Sequence, residues 1–597
     1  MQLLRKYCVL ELLFLILIFI FLSLIFVGHQ GHLVVDCGRE AYLPSEILKG
    51  KVLYKDIFNI YGPFSYQLNA FLYFIFGENL STLYKAGIVN SLIILISIFF
   101  ISKNLSTKEI AFSITLAVMV IGVFSTSIFN FIFPYSYAMA YTLSGFLLSA
   151  LFLILYTKTS KEWGFVLSTF FAGISVASKY EYLPYIAFLA LFVIFIKPLS
   201  KKYYFYSFIS FISVPVLCFG VLFAQGLTFV DLQNSFLIIK KMVSTETLKF
   251  FYSNFVGFYP TLPTITMMTK GFFTSVIYFF SFSLLVYVLF MLKKNKLKIS
   301  RWFLIVFIFL VLWKYTGYLF TKIISPQTFC WLAISNLLIF IGFCIYYLKI
   351  AGFELLKSRI FLLEFFKNIK WKDKCFMITC LIGVLSSLKS LFYLNIGVYG
   401  TFMFPVVLIT NTVFASEYIP EFFAVIDKSI WKSSISIVLI IMTSLFGLTN
   451  VKIVLENKNY EVKTQKGSIF TYKEEADAHN RLIKYIQKNT KPTDKILILP
   501  EGPLLNFLTN RPSDDIYNSL IPIYVETFGE KKIIRDLLGN MPDFIFVNNR
   551  NSIDYGYAYM CRDYAFEICD FINQNYTLEE TIGNDNGFAA AIYKKKN

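Results

Sequence analysis

Three acidic residues and an arginine lie close together just after the first long apolar run of the sequence. They are Asp36, Arg39, Glu40 and, after a short Lys-Gly-Lys segment, Asp56. If residues 38–48 form a helix, Asp36 lies at its start and Glu40 lies one turn on, so the two carboxylates share a face. A carboxylate at the membrane surface can deprotonate an acceptor hydroxyl or amine, or orient a cation against a phosphate. The pattern therefore indicates transfer from a membrane-bound donor.

The same acids have a simpler interpretation, in which they solvate a loop and pair with the basic residues Arg39, Lys49 and Lys55. The chain beyond them bends at Tyr61-Gly62-Pro63. It continues as an amphipathic segment, residues 64–76, that is too short to cross a bilayer.

A lysine stands between two apolar runs farther along the chain, in the sequence Ser178-Lys179-Tyr180-Glu181. An ammonium flanked by apolar helices is costly unless it has an anionic partner, so Lys179 is a candidate to meet a lipid phosphate. The alternative is that Lys179 pairs with Glu181 or extends to phospholipid headgroups. Lys314 and Lys389 also lie within apolar runs, and for them an anionic groove and simple snorkelling are equally good interpretations.

The composition of the chain defines the elements that must position these side chains. Of the 597 residues, 57% are hydrophobic and only 15% are charged, whereas soluble domains average about 25% charged residues. A soluble enzyme, a disordered protein and a collagen-like or disulfide-stapled fold are therefore excluded. The sequence predicts a polytopic α-helical membrane protein with a water-soluble part.

Apolar runs of the length that crosses the hydrocarbon core, about 20 residues, predict about 13 transmembrane helices. The predicted spans are 9–27, 83–101, 109–127, 138–156, 162–178, 181–197, 203–224, 272–292, 302–320, 329–348, 375–392, 399–415 and 433–449. The first span follows Arg5-Lys6 and has no small-residue cleavage site behind it, so it is interpreted as an uncleaved signal anchor. Residues 1–449 are thus expected to form the transmembrane domain.

Lysine and arginine favour the cytoplasmic loops of membrane proteins, and here they predict a cytoplasmic N-terminus. This orientation puts the following basic loops inside: 102–108, 157–161, 197–202, 293–301 and 349–374. The alternate short loops 128–137 and 393–398 contain no lysine or arginine. An odd number of spans then puts the C-terminal region, residues 450–597, outside the bacterial inner membrane, in the periplasm or its equivalent.

Three external parts of the chain are long: loop one (residues 28–82), the second external loop (residues 225–271) and the C-terminal region. In the C-terminal region, the pattern predicts helices at 471–489, 503–509, 530–539 and 557–575 and strands at 495–499, 543–547, 577–582 and 588–594. This alternation predicts a small α/β domain with a partly parallel sheet. It contains no G-x-G-x-x-G or P-loop motif, so a nucleotide site is not supported.

Cysteine spacing and charge distribution argue against two other kinds of site. The nine cysteines include no C-x-x-C pair and no metal-ligand spacing. Cys561 and Cys569 fall within the predicted 557–575 helix, about 12 Å apart by helical rise, which is too far for a disulfide without bending. The C-terminal region holds 19 Lys and Arg against 20 Asp and Glu. The net charge of +18 therefore belongs to the transmembrane domain and does not indicate nucleic acid binding.

Loop one carries an ordered set of short motifs. Asp36 is followed by x-x-x-E-A, by L-x-G-x-x-x-Y-x-D ending at Asp56, by Tyr61-Gly62-Pro63, and by L-N-A-x-x-x-x-x-F-G ending at Gly77. This order resembles the first external loop of the C-type (GT-C) glycosyltransferase superfamily. The nearest resemblance is to the protein O-mannosyltransferases of family 39, the lipid A aminoarabinose transferase and related bacterial proteins. It is strong over the first 200 residues and limited to topology beyond them.

The resemblance implies an inverting transfer of a sugar from a polyprenyl-phosphate carrier to an acceptor outside the membrane. It implies that Asp36 is the base, or a group close to a metal. It also implies that Lys179, which has an acid two residues on, meets the carrier phosphate, with Arg39 assisting. The expected partners are the lipid-linked sugar donor, membrane lipids and an extracytoplasmic acceptor, which is a glycolipid, a polysaccharide or a protein.

The remaining polar residues of the resemblance take secondary roles. Glu40 or Asp56 is expected to orient the acceptor, and Tyr61 and Glu181 are expected to support the site. No redox cofactor is implied. A divalent cation is compatible with the site but not required, because lysine and arginine can neutralise a phosphate leaving group.

Two functions of other classes compete with the transferase. A transporter or a lipid or oligosaccharide flippase usually has inverted repeats and charges deep in its spans, whereas this chain has no repeat and keeps most of its acids in external segments. A non-catalytic envelope assembly factor would bind a partner through the C-terminal region. Asp36→Asn separates these functions, because it stops transfer by a transferase without unfolding it and leaves an assembly factor unaffected.

Overall fold

The structure is a computed structural model that describes residues 9–195, 197–256, 262–294, 332–351, 369–388, 397–423, 427–513, 516–584 and 587–596. The first half of the chain is helical, as its long apolar runs require, because a helix satisfies its own backbone hydrogen bonds in lipid. Its helices are α1 (Val9–Phe26), α2 (Cys37–Leu48), α3 (Phe64–Phe76), α4 (Leu80–Leu105), α5 (Lys108–Val118), α6 (Tyr137–Thr159), α7 (Trp163–Ser178), α8 (Leu183–Phe195), α9 (Lys201–Ala224), α10 (Phe229–Val243), α11 (Glu246–Phe251) and α12 (Leu262–Lys294).

Further helices continue the bundle up to the C-terminal region. They are α13 (Leu332–Ala351), α14 (Trp371–Ser386), α15 (Gly400–Val413), α16 (Ile419–Phe422) and α17 (Lys428–Glu456). A π-helical segment, Phe414–Tyr418, joins α15 to α16, so that residues 400–422 form one continuous helical unit.

Five helical units of the described chain are long and apolar enough to cross a membrane: α4, α6, α9, the unit from α15 to α16, and α17. Shorter apolar helices lie within α1, α7, α12 and α13 and at residues 180–193. The protein is therefore a multi-pass membrane protein. The count of thirteen spans stays a prediction. The predicted span 302–320, with Lys314, and the residue Lys389 lie outside the described residues.

Basic loops that are predicted to be cytoplasmic meet at one end of the bundle. Lys158, in the last turn of α6, donates a hydrogen bond to Asn104 of α4 (3.0 Å) and lies 5.3 Å from the centre of the Trp371 ring. Ser106, the residue after α4, donates a hydrogen bond to the buried carboxylate of Glu417 (2.7 Å). The ends of α4 and α6, the π-helical segment after α15 and the start of α14 thus lie on one side of the bundle.

The C-terminal region contains two sheets. A hairpin of β1 (Tyr460–Thr464) and β2 (Gly467–Thr471), which the sequence did not predict, is followed by strands β3 (Ile496–Leu499), β4 (Phe544–Asn548), β5 (Tyr576–Gly583) and β6 (Ala589–Lys595). The second sheet has the order β3-β4-β6-β5, with β3 parallel to β4 and the other pairs antiparallel. Its strands coincide with those predicted, and the sheet is partly parallel.

The helices of the C-terminal region are α18 (Lys473–Asn489), α19 (Pro503–Thr509), α20 (Pro522–Phe528), α21 (Glu530–Gly539) and α22 (Phe566–Asn575). The sequence did not predict α20. The other helices match their predicted positions except α22, which begins nine residues later than predicted.

The late start of α22 corrects the prediction for two cysteines. Cys561 lies before the helix in a left-handed conformation (φ 66°), and its backbone N–H donates to the carbonyl of Tyr564. The chain therefore turns back on itself, and Cys561 and Cys569 form a disulfide with a Cα–Cα distance of 5.6 Å. The expectation that helical rise keeps these cysteines apart was wrong, because Cys561 is not helical.

Loop one and the C-terminal region pack directly against each other. The backbone N–H of Phe58 donates to the carbonyl of Ile516 (3.0 Å). At the start of α2, a Cβ on Gly38 would lie only 2.3 Å from the backbone nitrogen of Leu504. Only glycine permits this approach of α19 to α2, so the contact brings the C-terminal region close to the acids of loop one.

Candidate active site

Asp36 is held at the start of α2 in an unusual backbone conformation. Its φ of 55° and ψ of −52° place it at the centre of a γ-turn, in which the backbone N–H of Cys37 donates to the carbonyl of Val35 (2.6 Å). This turn is rare and strained. The Asp36 side chain does not cap α2. Instead, one carboxylate oxygen lies 3.4 Å from the guanidinium of Arg39, one turn further on. The carboxylate is partly exposed and therefore open to an incoming group.

Glu40 lies on the buried side of the same helix turn. Its carboxylate accepts hydrogen bonds from the Tyr66 hydroxyl (3.0 Å), the Tyr137 backbone N–H (2.7 Å) and the Arg39 Nε (3.2 Å). Burial raises the pKa of Glu40, while Arg39 and these hydrogen bonds oppose the rise. With all three donors in place, Glu40 fixes the direction of the Arg39 guanidinium.

Gly62 explains how the Tyr-Gly-Pro motif brings Tyr61 to the site. The backbone N–H of Gly62 donates to the carbonyl of Ser178 (2.9 Å), and a Cβ at this position would lie 2.0 Å from the carbonyl oxygen of Ala177. Glycine is thus required for loop one to touch the end of α7. This contact sets the Tyr61 ring beside Lys179, the residue after α7.

Two cations lie against the Tyr61 ring. Its centre is 5.1 Å from the Arg39 guanidinium carbon and 5.1 Å from the Lys179 Nζ. Lys179 is buried, lies 5.7 Å from the centre of the Tyr399 ring and forms an ion pair with Glu181 (2.6 Å). The structure therefore brings the predicted donor-site residues together with the acids at the start of α2.

Asp56 is placed differently from the other predicted site residues. It is exposed, and its carboxylate accepts the backbone N–H of Val52 at 2.9 Å. This contact closes the turn between α2 and the Tyr61 segment. The hydrogen bond that the structure shows for the Asp56 carboxylate is thus made within its own turn.

The C-terminal region supplies charged residues that sequence reasoning missed. Glu501 follows β3 and Arg550 follows the parallel neighbour β4, and they form an ion pair of 2.6 Å. Glu501 also accepts the backbone N–H of Asp36 at 2.8 Å. Because the carboxyl ends of adjacent parallel strands meet at one edge of a sheet, the two strand positions were a usable signal.

Aromatic residues surround this charged group. The Tyr399 ring centre lies 5.2 Å from that of Tyr135 and 6.0 Å from that of Phe251, and Phe251 lies 5.3 Å from Tyr555. These residues come from three separate segments of the transmembrane domain and from the C-terminal region. Such rings offer flat apolar surfaces beside the charges.

The electrostatic surroundings suit Asp36 for proton transfer near neutral pH. The pKa of Asp36 is raised to about 7, because burial, Glu501 and Glu40 raise it by more than Arg39 and Arg550 lower it. A group with a pKa near the working pH is an efficient base. Among the described residues, no group of three or more His, Cys, Asp or Glu is arranged to hold a metal ion.

Comparisons with known proteins give structural similarities only: no family model and no curated protein matches. The chain is similar to ArnT from Cupriavidus metallidurans bound to undecaprenyl phosphate, with 10% identity, 98% of each chain covered and a TM-score of 0.44. It is also similar to the oligosaccharyltransferase AglB from Archaeoglobus fulgidus in complex with an inhibitory peptide and a dolichol-phosphate. Here the identity is 10%, the TM-score is 0.44, and 99% of this chain and 75% of AglB are covered.

Proposed function

We propose that the protein is an inverting membrane glycosyltransferase that moves a sugar from a polyprenyl-phosphate carrier to an extracytoplasmic acceptor. The arrangement around Tyr61 carries the proposal. The Arg39 guanidinium carbon and the Lys179 Nζ each lie 5.1 Å from the centre of the Tyr61 ring, and the Asp36 carboxylate lies 3.4 Å from the Arg39 guanidinium. A base is thereby adjacent to the positive charge that a phosphate needs.

In the proposed reaction, an acceptor hydroxyl or amine attacks the anomeric carbon from the side opposite the phosphate. A new bond forms between the acceptor and this carbon, and the bond from the carbon to the phosphate oxygen breaks. The electron pair of the broken bond leaves with the polyprenyl phosphate, and Asp36 takes the acceptor proton. Lys179 and Arg39 stabilise the charge on the departing phosphate, so a divalent cation can assist but is not required.

The other polar residues of loop one act through these groups in the proposal. Glu40 fixes Arg39, and Glu181 shares Lys179 with the incoming phosphate. Asp56 shapes the turn that delivers Tyr61.

The proposed activity is tested by comparing the glycans of cells with and without the gene. Mass spectrometry of glycolipids, polysaccharides and glycoproteins is expected to show one saccharide unit missing from one class in the deletion strain. The wild-type gene restores the unit, and the Asp36→Asn variant, inserted in the membrane at the same level, does not. Identical glycan profiles in the deletion and wild-type strains would refute the proposal.

We propose that the C-terminal region faces the periplasm or an equivalent compartment of a bacterial inner membrane. The convergence of basic loops at Glu417, and of the external segments at Tyr399, supports this orientation. Compartment reporters fused at Lys298 and at Asn489 are expected to give opposite results, cytoplasmic and external. The same compartment for both fusions contradicts the predicted topology.

The disulfide provides an independent test of the same location, because disulfides persist in oxidising compartments. In intact cells, a membrane-impermeant maleimide is expected to label Cys569→Ser, whose exposed Cys561 then has a free thiol. The wild-type pair is expected to react only after reduction. The double variant, with serine at both positions, measures labelling of other cysteines. If Cys569→Ser reacts only after cell lysis, the region is cytoplasmic.

A further inference from the structure

The residue that contacts the backbone of Asp36 comes from far along the chain. Glu501 is buried, and its two carboxylate oxygens have separate partners: the Asp36 backbone N–H at 2.8 Å and the Arg550 Nε at 2.6 Å. Arg550 is also buried and lies 3.6 Å from the carboxylate of Asp554. A chain of alternating charges thus runs from the C-terminal sheet to the start of α2.

The sheet holds this chain of charges rigidly. Asn548, the last residue of β4, donates to the backbone carbonyl of Glu501 (2.6 Å) and accepts the backbone N–H of Arg550 (3.1 Å). Both charged residues are therefore anchored to the ends of paired strands. Side chains anchored on strands position a neighbouring group more accurately than side chains on loops.

We propose that Glu501 is a positioning residue for Asp36, through which the C-terminal region orients the base and sets the pH at which it works. The inference rests on the proposed function, since it concerns the base of that reaction. Asp36 lies before α2 at the centre of a strained γ-turn, and its side chain does not cap the helix. The hydrogen bond to Glu501 therefore helps to fix the peptide that directs its carboxylate.

Charged and phenolic groups face Asp36 from each element packed against it. Arg39 and Glu40 belong to its own helix, and Glu501 and Arg550 belong to the C-terminal region. The phenols that interact with it are those of Tyr135, Tyr399, Tyr524 and Tyr555. The negative charge of Glu501 adds to burial in raising the pKa of Asp36, so removing that charge lowers this pKa.

Two substitutions separate the charge of Glu501 from its hydrogen bond. Glu501→Gln keeps an oxygen that accepts the Asp36 N–H but loses the charge, whereas Glu501→Ala loses both. Glu526→Ala is the matched control, because Glu526 also belongs to the C-terminal region and accepts the backbone N–H groups of Glu246 and Thr247 in the second external loop. Glu526→Ala therefore removes a contact between the C-terminal region and the second external loop without changing a group near Asp36.

The first measurement follows the Asp36 carboxyl directly, by carbon-13 NMR titration of full-length protein in nanodiscs, with the signal assigned by its loss in Asp36→Asn. Glu501→Gln is expected to lower the midpoint by about one pH unit, the effect of one charge at close range. Glu501→Ala is expected to lower it similarly, and Glu526→Ala to leave it unchanged. An unshifted midpoint in folded Glu501→Gln overturns the inference.

The second measurement is rescue of the glycan in the deletion strain at about pH 6 and about pH 8. Glu501→Gln is expected to rescue better than wild type at the lower pH, because more of its Asp36 is ionised. Glu501→Ala is expected to rescue about 10-fold less than Glu501→Gln at both pH values, because the base is misdirected. Equal rescue by the two Glu501 variants contradicts the positioning role. A shifted NMR midpoint without any glycan difference in the deletion strain refutes the proposed function alone.

Discussion

Asp36→Asn is expected to lower turnover by about 100- to 10,000-fold, the usual cost of removing a general base. Asparagine preserves the size of the side chain and most of its hydrogen bonding, but it accepts no proton near neutral pH. The backbone N–H that Glu501 accepts is unchanged by the substitution, so membrane insertion and folding are expected to be normal. Turnover and thermal stability of purified protein test both statements.

Glu40→Gln and Asp56→Asn are the controls for this prediction, and both are expected to cost less turnover than Asp36→Asn. Glu40 is buried among three hydrogen-bond donors. Glu40→Gln is therefore expected to act mainly by lowering the stability of the protein. Asp56 is exposed in a turn, so its variant is expected to stay close to wild type. Wild-type turnover in Asp36→Asn together with a loss in either control would assign the base to another carboxylate.

Lys179→Ala is expected to weaken binding of undecaprenyl phosphate by about 10- to 100-fold, the value of a charge-assisted hydrogen bond to a phosphate. Lys179 lies between the rings of Tyr61 and Tyr399, where water competes poorly for a bound anion. Acceptor preference is expected to change much less than donor affinity. Binding measured on purified protein in detergent, beside its thermal stability, tests the prediction.

Two variants sharpen the test of Lys179. Glu181→Gln is expected to tighten undecaprenyl phosphate binding, because the carboxylate that pairs with Lys179 at 2.6 Å no longer competes with the phosphate. Lys249→Ala is the matched control, since Lys249 also pairs with an acid, Glu246. Unchanged affinity in a stable Lys179→Ala protein would remove this lysine from the donor site.

The parts of the site that lie in loop one were predictable from the sequence. Asp36, Arg39 and Glu40 fall within one helical turn, and the Tyr-Gly-Pro motif signals a close backbone approach. Lys179 was predictable because an ammonium between apolar runs needs an anionic partner. These inferences use local spacing or membrane energetics, both of which are written in short stretches of sequence.

The contribution of the C-terminal region was not predictable in the same way. Glu501 meets Asp36 across 465 sequence positions, and no short motif connects them. The pairing of β3 with β4 brings Glu501 and Arg550 together, but the docking of that sheet edge on α2 depends on side-chain packing. Tertiary packing of this kind leaves no periodic pattern in the sequence.

Secondary structure was predicted best where the apolar pattern is continuous. The strands β3 and β4 fell at their expected positions because each is an uninterrupted apolar run. The predicted 557–575 helix failed at its start, where the carboxylate of Asp563 accepts the backbone N–H groups of Ala558 and Tyr559. Local side-chain contacts of this kind compete with helix formation.

Gly38 limits how proteins with this architecture can be recombined. The backbone of α19 lies so close to Gly38 of α2 that there is no room for a Cβ between them. The surfaces of the two helices must therefore be complementary in shape. A chimera that takes residues 450–597 from one parent and loop one from another inherits two surfaces that were never fitted to each other. Domain grafting between such proteins therefore has to move α2 and α19 together.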